Sequence, residues 1–440
     1  MSKQIDPVAI VGGGFAGLTV AHELNKRDVP FTLYESSDHL AGLAKSFKDE
    51  EGFSYDFGTH LITNRLASEI GVEDQCRQVG YFGETVFLRG KTYRYPFGLM
   101  RYPHYVLGAV ASRIRSLTSP PPNNADEFFR QMLGNALAED VAIPLIESVM
   151  GAPASLLSAS VGDKLPGVWR TVMLRLAGKI TGKAVAIGYT QDQPETPRVW
   201  HTYPVGGIEM ICSHLADGIH DRIHLASRVE KIIVERNRVT GIRVNGEFHP
   251  ASAVISTAPV NVLPKILEGS DSLDYLARFR YQPAVFVNIR LKGRGLLPDV
   301  VLWTPESEFP FFRLQEAAIS MPWLAPEGKT VITADIGCTI NGRHWSMDDD
   351  ELGKLCVQKL APIIPDAENR YLGCRVLRTR IAYPVLLAEY QKDRERLQQG
   401  TGIDGLYSVG RNGEFDHIMM EDGYHRACRK ARDVAKFLGT

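Results

Sequence analysis

Val8-Ala9-Ile10-Val11-Gly12-Gly13-Gly14-Phe15-Ala16-Gly17 decides the fold. Four β-branched or apolar residues in a row predict a strand buried on both faces of a parallel sheet. The glycines follow at once and Leu18 to Lys26 has helical periodicity, so they occupy a strand-to-helix turn. Each has a physical task there: Gly12 makes the tight turn, Gly14 lets backbone approach a pyrophosphate, and Gly17 lets the helix lie close on the strand, with the phosphate at the helix's positive end. A second apolar strand, Phe31-Thr32-Leu33-Tyr34, ends in Glu35, 18 residues after Gly17. A carboxylate there accepts hydrogen bonds from a ribose 2′-hydroxyl and disfavours a 2′-phosphate. The pattern predicts a bound dinucleotide and leaves FAD and NAD both open.

The following residues tilt that choice. Glu35-Ser36-Ser37-Asp38-His39-Leu40-Ala41-Gly42-Leu43-Ala44-Lys45-Ser46 resembles the segment after the ribose acid in the FAD-binding amine-oxidase superfamily, where a Gly-Gly pair and a basic residue run beside the flavin's phosphates and ribityl chain. Here Ala41 takes the place of the first glycine and the basic residue is displaced. Tyr55-Asp56-Phe57-Gly58-Thr59-His60-Leu61-Ile62 resembles the D-x-G-x-H segment of UDP-galactopyranose mutases and protoporphyrinogen-oxidase-like proteins, whose histidine lies at the isoalloxazine ring. Lys91 to Phe97 resembles the mutases' YPF strand, and Asp126 to Gly134 with Pro144, Glu147 and Met150 to Ser160 a helical pair lining their substrate cavity. Pro310-Phe311-Phe312-Arg313 followed by Ser320-Met321-Pro322, and Gly410-Arg411-Asn412-Gly413 followed by Met420-Glu421-Asp422, complete the likeness. The chain thus resembles the FAD-dependent amine-oxidase superfamily, nearest its UDP-galactopyranose mutase and protoporphyrinogen-oxidase-like branch.

The resemblance implies an α/β fold: a FAD/NAD(P)-binding Rossmann-like domain of the glutathione-reductase type with an inserted mixed α+β substrate domain. The expected FAD domain is discontinuous, residues 1–70, 200–270 and 400–440, and the substrate domain takes 71–199 and 271–399. Cofactor-binding residues implied are Gly12, Gly14, Phe15, Ala16 and Gly17; then Glu35, Ser36, Gly42, Leu43 and Ala44; then Gly58, Thr59 and His60. Val229 is expected at the adenine through its backbone, Arg411 as a brace, and Met420, Glu421 and Asp422 at a helix opening that aims N–H groups at the flavin N1/O2 side. His60, Arg313 and Tyr383 are the catalytic candidates: a histidine orienting flavin or exchanging protons, an arginine resembling the mutases' diphosphate-holding one, and a cavity tyrosine. Tyr390 is a further cavity candidate.

Elsewhere the residues speak for themselves. Residues 71–199 read as largely helical, and Ser119-Pro120-Pro121-Pro122-Asn123-Asn124 as a stiff loop. Val229 to Glu235 and Val239 to Val244 read as a hairpin joined by Arg236-Asn237-Arg238, Ala284 to Leu291 and Thr330 to Ile336 as strands, Gly410 to Gly413 as a turn, and His425 to Leu438 as a final helix.

Composition excludes several classes. Fifty basic against fifty-one acidic residues in 440 leave a net charge of −1, so nothing draws the whole chain to nucleic acid. Six cysteines without a CxxC pair give no zinc spacing and no disulfide framework, and read as free thiols of a reducing cytoplasm. No signal peptide is read at the start, and no uncharged apolar run reaches the ~20 residues of a spanning helix. From Lys164 to Lys183 five basic residues and no acidic one interleave with apolar ones. That stretch reads as the solvated cationic face of a lid helix, with contact to an anionic membrane or grip on an anionic substrate as the alternatives.

The expected function is a FAD-dependent oxidoreductase that dehydrogenates a small molecule by hydride transfer to flavin N5. The alternative is a mutase-like isomerase acting on a nucleotide sugar through reduced FAD.

Overall fold

The computed structural model describes residues 6–58, 60–95, 98–162 and 168–439, without the side chains of 168 and 169. Thr59, Pro96, Phe97 and Lys164, singled out above, lie outside the described residues.

The opening strand, Val8–Val11, sits in the middle of a five-stranded parallel sheet, in register with Phe31–Tyr34 on one side and Ala253–Ser256 on the other. Ile223–His224 and Leu406–Ser408 form the edges. Its uniform apolarity is explained by packing on both faces. Val8 and Ile10 point into one core with the helices Phe15–Asn25, Glu209–Ala216 and Met420–Leu438. Ala9 and Val11 point into another, shared with the antiparallel strands Val229–Glu235 and Arg238–Val244. The hairpin turn between those strands is two residues, Arg236 and Asn237, both with positive φ (49° and 62°), and Arg238 already pairs with Glu235.

A seven-stranded sheet forms the second body. Its order is Tyr371–Pro384, Tyr281–Lys292, Lys329–Gly337, Arg313–Gln315, Val301–Trp303, Glu84–Leu88 and Lys91–Arg94. Every neighbouring pair is antiparallel except Val301–Trp303 with Glu84–Leu88. The helix Asp349–Lys359 covers one face. Residues 71–199 are thus less helical than expected, because a β-hairpin from 84 to 94 extends this sheet. Gly410–Gly413, expected as a turn, is a single helical turn. Ser119 to Asn124 is a loop, and Asn124 caps the helix Ala125–Leu133 by accepting from the Glu127 N–H.

Candidate active site

The glycine turn is built by backbone contact. Gly12 has φ +106°, a conformation L side chains rarely adopt, and a Cβ on Gly17 would stand 1.9 Å from the Gly12 carbonyl oxygen. The first helix therefore lies directly on the end of the opening strand. Gly14 differs: a Cβ there would meet only the Ala41 carbonyl, 4.0 Å away. Gly14 is also the N-cap of Phe15–Asn25, and the first-turn N–H groups of that helix have no side-chain cap. Gly42 to Ala44 form a 3₁₀ turn beside it, held by the Ala41 N–H on the Gly13 carbonyl. Ala41 adopts φ +78°, a conformation that favours glycine. Gly410 closes the other side, where a Cβ would meet the Ala16 Cβ at 2.8 Å.

Glu35 braces this turn. Its carboxylate accepts from the Gly13 N–H at 2.7 Å, from the Ser37 N–H at 2.8 Å, and from the Ser36 and Ser37 hydroxyls. Its backbone carbonyl accepts from Ser227, two residues before Val229, which opens its strand and is buried.

A second cluster is made of side chains. Arg313 and Asp335 are direct cross-strand partners, and both Nε and a terminal nitrogen of Arg313 donate to one Asp335 oxygen. Burial works against the guanidinium's charge, but Asp335 more than offsets it and holds the pKa above its ordinary value. The guanidinium lies 5.5 Å from the Trp303 ring centroid and beside the position a Gly58 Cβ would take. Arg411 is nearby and donates from Nε and a terminal nitrogen to the Ile418 carbonyl. Burial lowers its pKa, and Arg313 adds to that.

His60 stands next to both arginines. Burial first, then Arg411 and Arg313, push its pKa down to about 3, so the ring is neutral. Its Nδ1 is buried and makes no hydrogen bond among the described residues, and the same holds for Asn412 Oδ1. Tyr383 is kept protonated by burial and packs edge-on against His417 at 5.4 Å. A small cavity runs from His60 and Gly58 past Asp56, Tyr203, Gln315 and Thr333. Asp56 is fully enclosed, accepts from Ser46 (2.6 Å) and Tyr203 (2.7 Å), and burial raises its pKa to about 6.

Residues 15–435 match the family model of flavin containing amine oxidoreductases. The chain belongs to this family. Coproporphyrinogen III oxidase of Staphylococcus aureus is 27% identical over 176 residues, 34% of this chain and 38% of that one. Protoporphyrinogen oxidase 2 of Arabidopsis thaliana is 22% identical over 92% of this chain and 89% of its own. Among solved structures, a reduced UDP-galactopyranose mutase superposes with a TM-score of 0.78 at 20% identity, covering 99% of this chain and 96% of the other.

This member of the flavin amine oxidoreductases is an FAD-dependent enzyme, and the residues present fit that group. The uncapped helix start and open space at Gly14 suit a diphosphate, the Glu35 carboxylate a ribose, and the two orphaned polar atoms of His60 and Asn412 a heteroaromatic ring with donors and acceptors. Two acids at the expected helix opening also hold protein segments, and Glu421 keeps its second oxygen buried with no hydrogen bond among the described residues. Glu421 accepts from Thr63 and Arg65, and Asp422 from Thr190, Gln191 and Asp192, so both carboxylates anchor neighbouring segments to the helix Met420–Leu438. Met420 is the first residue of that helix. Tyr390 belongs to the core, stacked on Phe279, with its hydroxyl donating to the Arg278 carbonyl.

Sequence reasoning missed Asp335 and the role of Tyr203, and quoted Asp56 in its D-x-G-x-H segment without a role of its own. Asp335 had a signal: it is the lone acid inside Lys329–Gly337, KTVITADIG, an almost wholly buried strand. Among the described residues no group of three His, Cys, Asp or Glu is placed to hold a metal ion, and no helix is long and apolar enough to cross a membrane.

Proposed function

We propose that this enzyme dehydrogenates a small-molecule substrate held between the glycine cradle and the Arg313–Tyr383 cluster. When bound, FAD supplies a hydride acceptor at N5. The chain's own residues do the rest. Arg411, whose charge no carboxylate fully neutralises, favours negative charge developing on the cofactor side. Neutral His60 offers its free Nδ1 as a hydrogen-bond partner, and Tyr383 keeps its hydroxyl proton. Asp56, which lines the same cavity, changes protonation near pH 6 and is placed to exchange a proton with a group that enters it.

One observation supports oxidation over isomerisation of a nucleotide sugar: Arg313 is committed to Asp335. An arginine whose charge is already met by a buried carboxylate is a poor grip for a diphosphate. The deciding experiment mixes oxidised holoenzyme anaerobically with coproporphyrinogen III, protoporphyrinogen and a panel of amines. Bleaching of the flavin band by one of these, reversed by air, is expected. Turnover of UDP-galactopyranose to an isomer, only after prior reduction, would replace this reading with the mutase.

A further inference from the structure

We propose that the enzyme docks on the surface of an anionic lipid bilayer through two helices, Pro103–Ser116 and Val168–Thr181. Each helix packs by one stripe and exposes a second. On the first, Tyr105 and Ser112 are buried and Gly108 abuts Gly134, a spacing of three and four residues. Leu107, Val110, Ile114 and Leu117 repeat that spacing two residues later, about 200° around the helix, and are 67%, 53%, 64% and 80% exposed. On the second, Thr171, Leu174 and Gly178 are the buried stripe, and Met173, Leu176 and Ile180, again two residues on, are 62%, 51% and 78% exposed. Nine of the fifteen exposed large apolar side chains among the described residues fall between 95 and 117 or between 173 and 180. Single exposed apolar residues are ordinary; such a concentration opposite a packing face marks an interaction surface.

Charge selects the occupant. Residues 101–118 and 168–183 contain no Asp or Glu, in a chain whose charges otherwise balance. Arg113 and Arg115 bracket Ile114, Lys179 precedes Ile180, and none of these three makes an ion pair among the described residues. A second copy of the chain would set cation against cation, which disfavours a symmetric dimer. An anionic bilayer supplies what both stripes lack: phosphates for the basic residues and acyl chain for the apolar ones. With 14 residues each, these helices lie in the interface and do not cross it. This assigns the basic helix Val168–Thr181 a role beyond covering the core.

The test is co-sedimentation of the full-length, flavin-loaded protein with vesicles of phosphatidylcholine, with and without phosphatidylglycerol. Binding is expected only to the anionic vesicles, and to weaken as salt is added. Ile114→Ser with Ile180→Ser should weaken it roughly hundredfold, and Arg113→Ala or Lys179→Ala roughly fivefold each. Retained flavin absorbance shows that each variant is folded; Leu107→Ser with Met173→Ser serves if the first pair loses it. Failure to bind anionic vesicles, or binding that these substitutions leave unchanged, overturns the proposal. So does a wild-type dimer in sedimentation velocity that Ile114→Ser with Ile180→Ser splits, since a second copy would then own the face.

Discussion

The glycine cradle and the arginine cluster serve one site by opposite means. The cradle is backbone laid against backbone, with Gly17 closed on Gly12 and Gly14 left open, and its centre comes from residues adjacent in sequence, with Ala41 and Gly410 at its sides. The cluster is charge buried among side chains, assembled from positions as distant as His60, Arg313, Tyr383 and Arg411. Backbone space is intolerant of added atoms but indifferent to charge; the cluster should show the reverse sensitivity.

The sharpest expected loss follows from that contrast. Asp335→Asn keeps the shape and leaves the Arg313 guanidinium buried without a carboxylate, which should cost about 3–5 kcal/mol of stability. Thermal melting measures it. Arg313→Met with Asp335→Leu should regain most of that stability, since an apolar pair needs no compensation, while turnover stays lost. A single Asp335→Asn that melts like the parent would mean the cluster is not governed by charge.

Next is Gly17→Ala, one methyl in the cradle. Its Cβ would sit 1.9 Å from the Gly12 oxygen, so the helix must move off the strand. Overpacking of this kind costs about 1–3 kcal/mol, and the protein should purify with little flavin absorbance. A smaller effect is expected from Glu35→Gln, which keeps the size and removes the charge that accepts from Gly13 and Ser37. Loss of one charge-assisted bond is worth about 1.5 kcal/mol, so the FAD dissociation constant should rise roughly tenfold, read by flavin fluorescence on titration.

The same contrast explains what could be read from the sequence. Val8 to Gly17 and Phe31 to Glu35 carry their meaning locally: an apolar run, a set of glycines and an acid at strand end, each sufficient for its own conformation. The hairpin at Arg236–Asn237 was legible for the same reason. The strand Glu84–Leu88 was passed over although its hairpin partner Lys91–Arg94 is local; its other neighbour, Val301–Trp303, lies more than two hundred residues away and pairs with it in parallel, so its place in the sheet could not be read. Arg313 was singled out, but its partner was not, since only the register between Arg313–Gln315 and Lys329–Gly337 sets Asp335 opposite it. Met420, Glu421 and Asp422 were read as a helix opening whose N–H groups face the cofactor; what the sequence did not show is that the carboxylates of Glu421 and Asp422 also hold the segments at 63–65 and 190–192, which only the fold brings to that helix.

The smallest expected effect tests whether His60 belongs to the charge cluster at all. Its pKa of about 3 means that the folded chain carries a neutral ring at and around neutral pH. A neutral hydrogen-bond partner is replaceable by glutamine, so His60→Gln should lower kcat by less than tenfold, whereas removal of a working general base costs about 10²–10⁴. The pH profile of kcat should be the same in both proteins, with any inflection near pH 6 traceable to Asp56 and abolished in Asp56→Asn. Stability supplies an independent sign. Because the folded pKa lies below the unfolded value of 6.5, the unfolded chain binds more protons, and His60 costs stability progressively as pH falls from 6.5 towards 3. His60→Gln should therefore melt higher than the parent in acid, by about 2 kcal/mol at pH 5, and converge with it above pH 7. Equal acid sensitivity in the two proteins would show that the ring keeps its contact with water and stands outside the cluster.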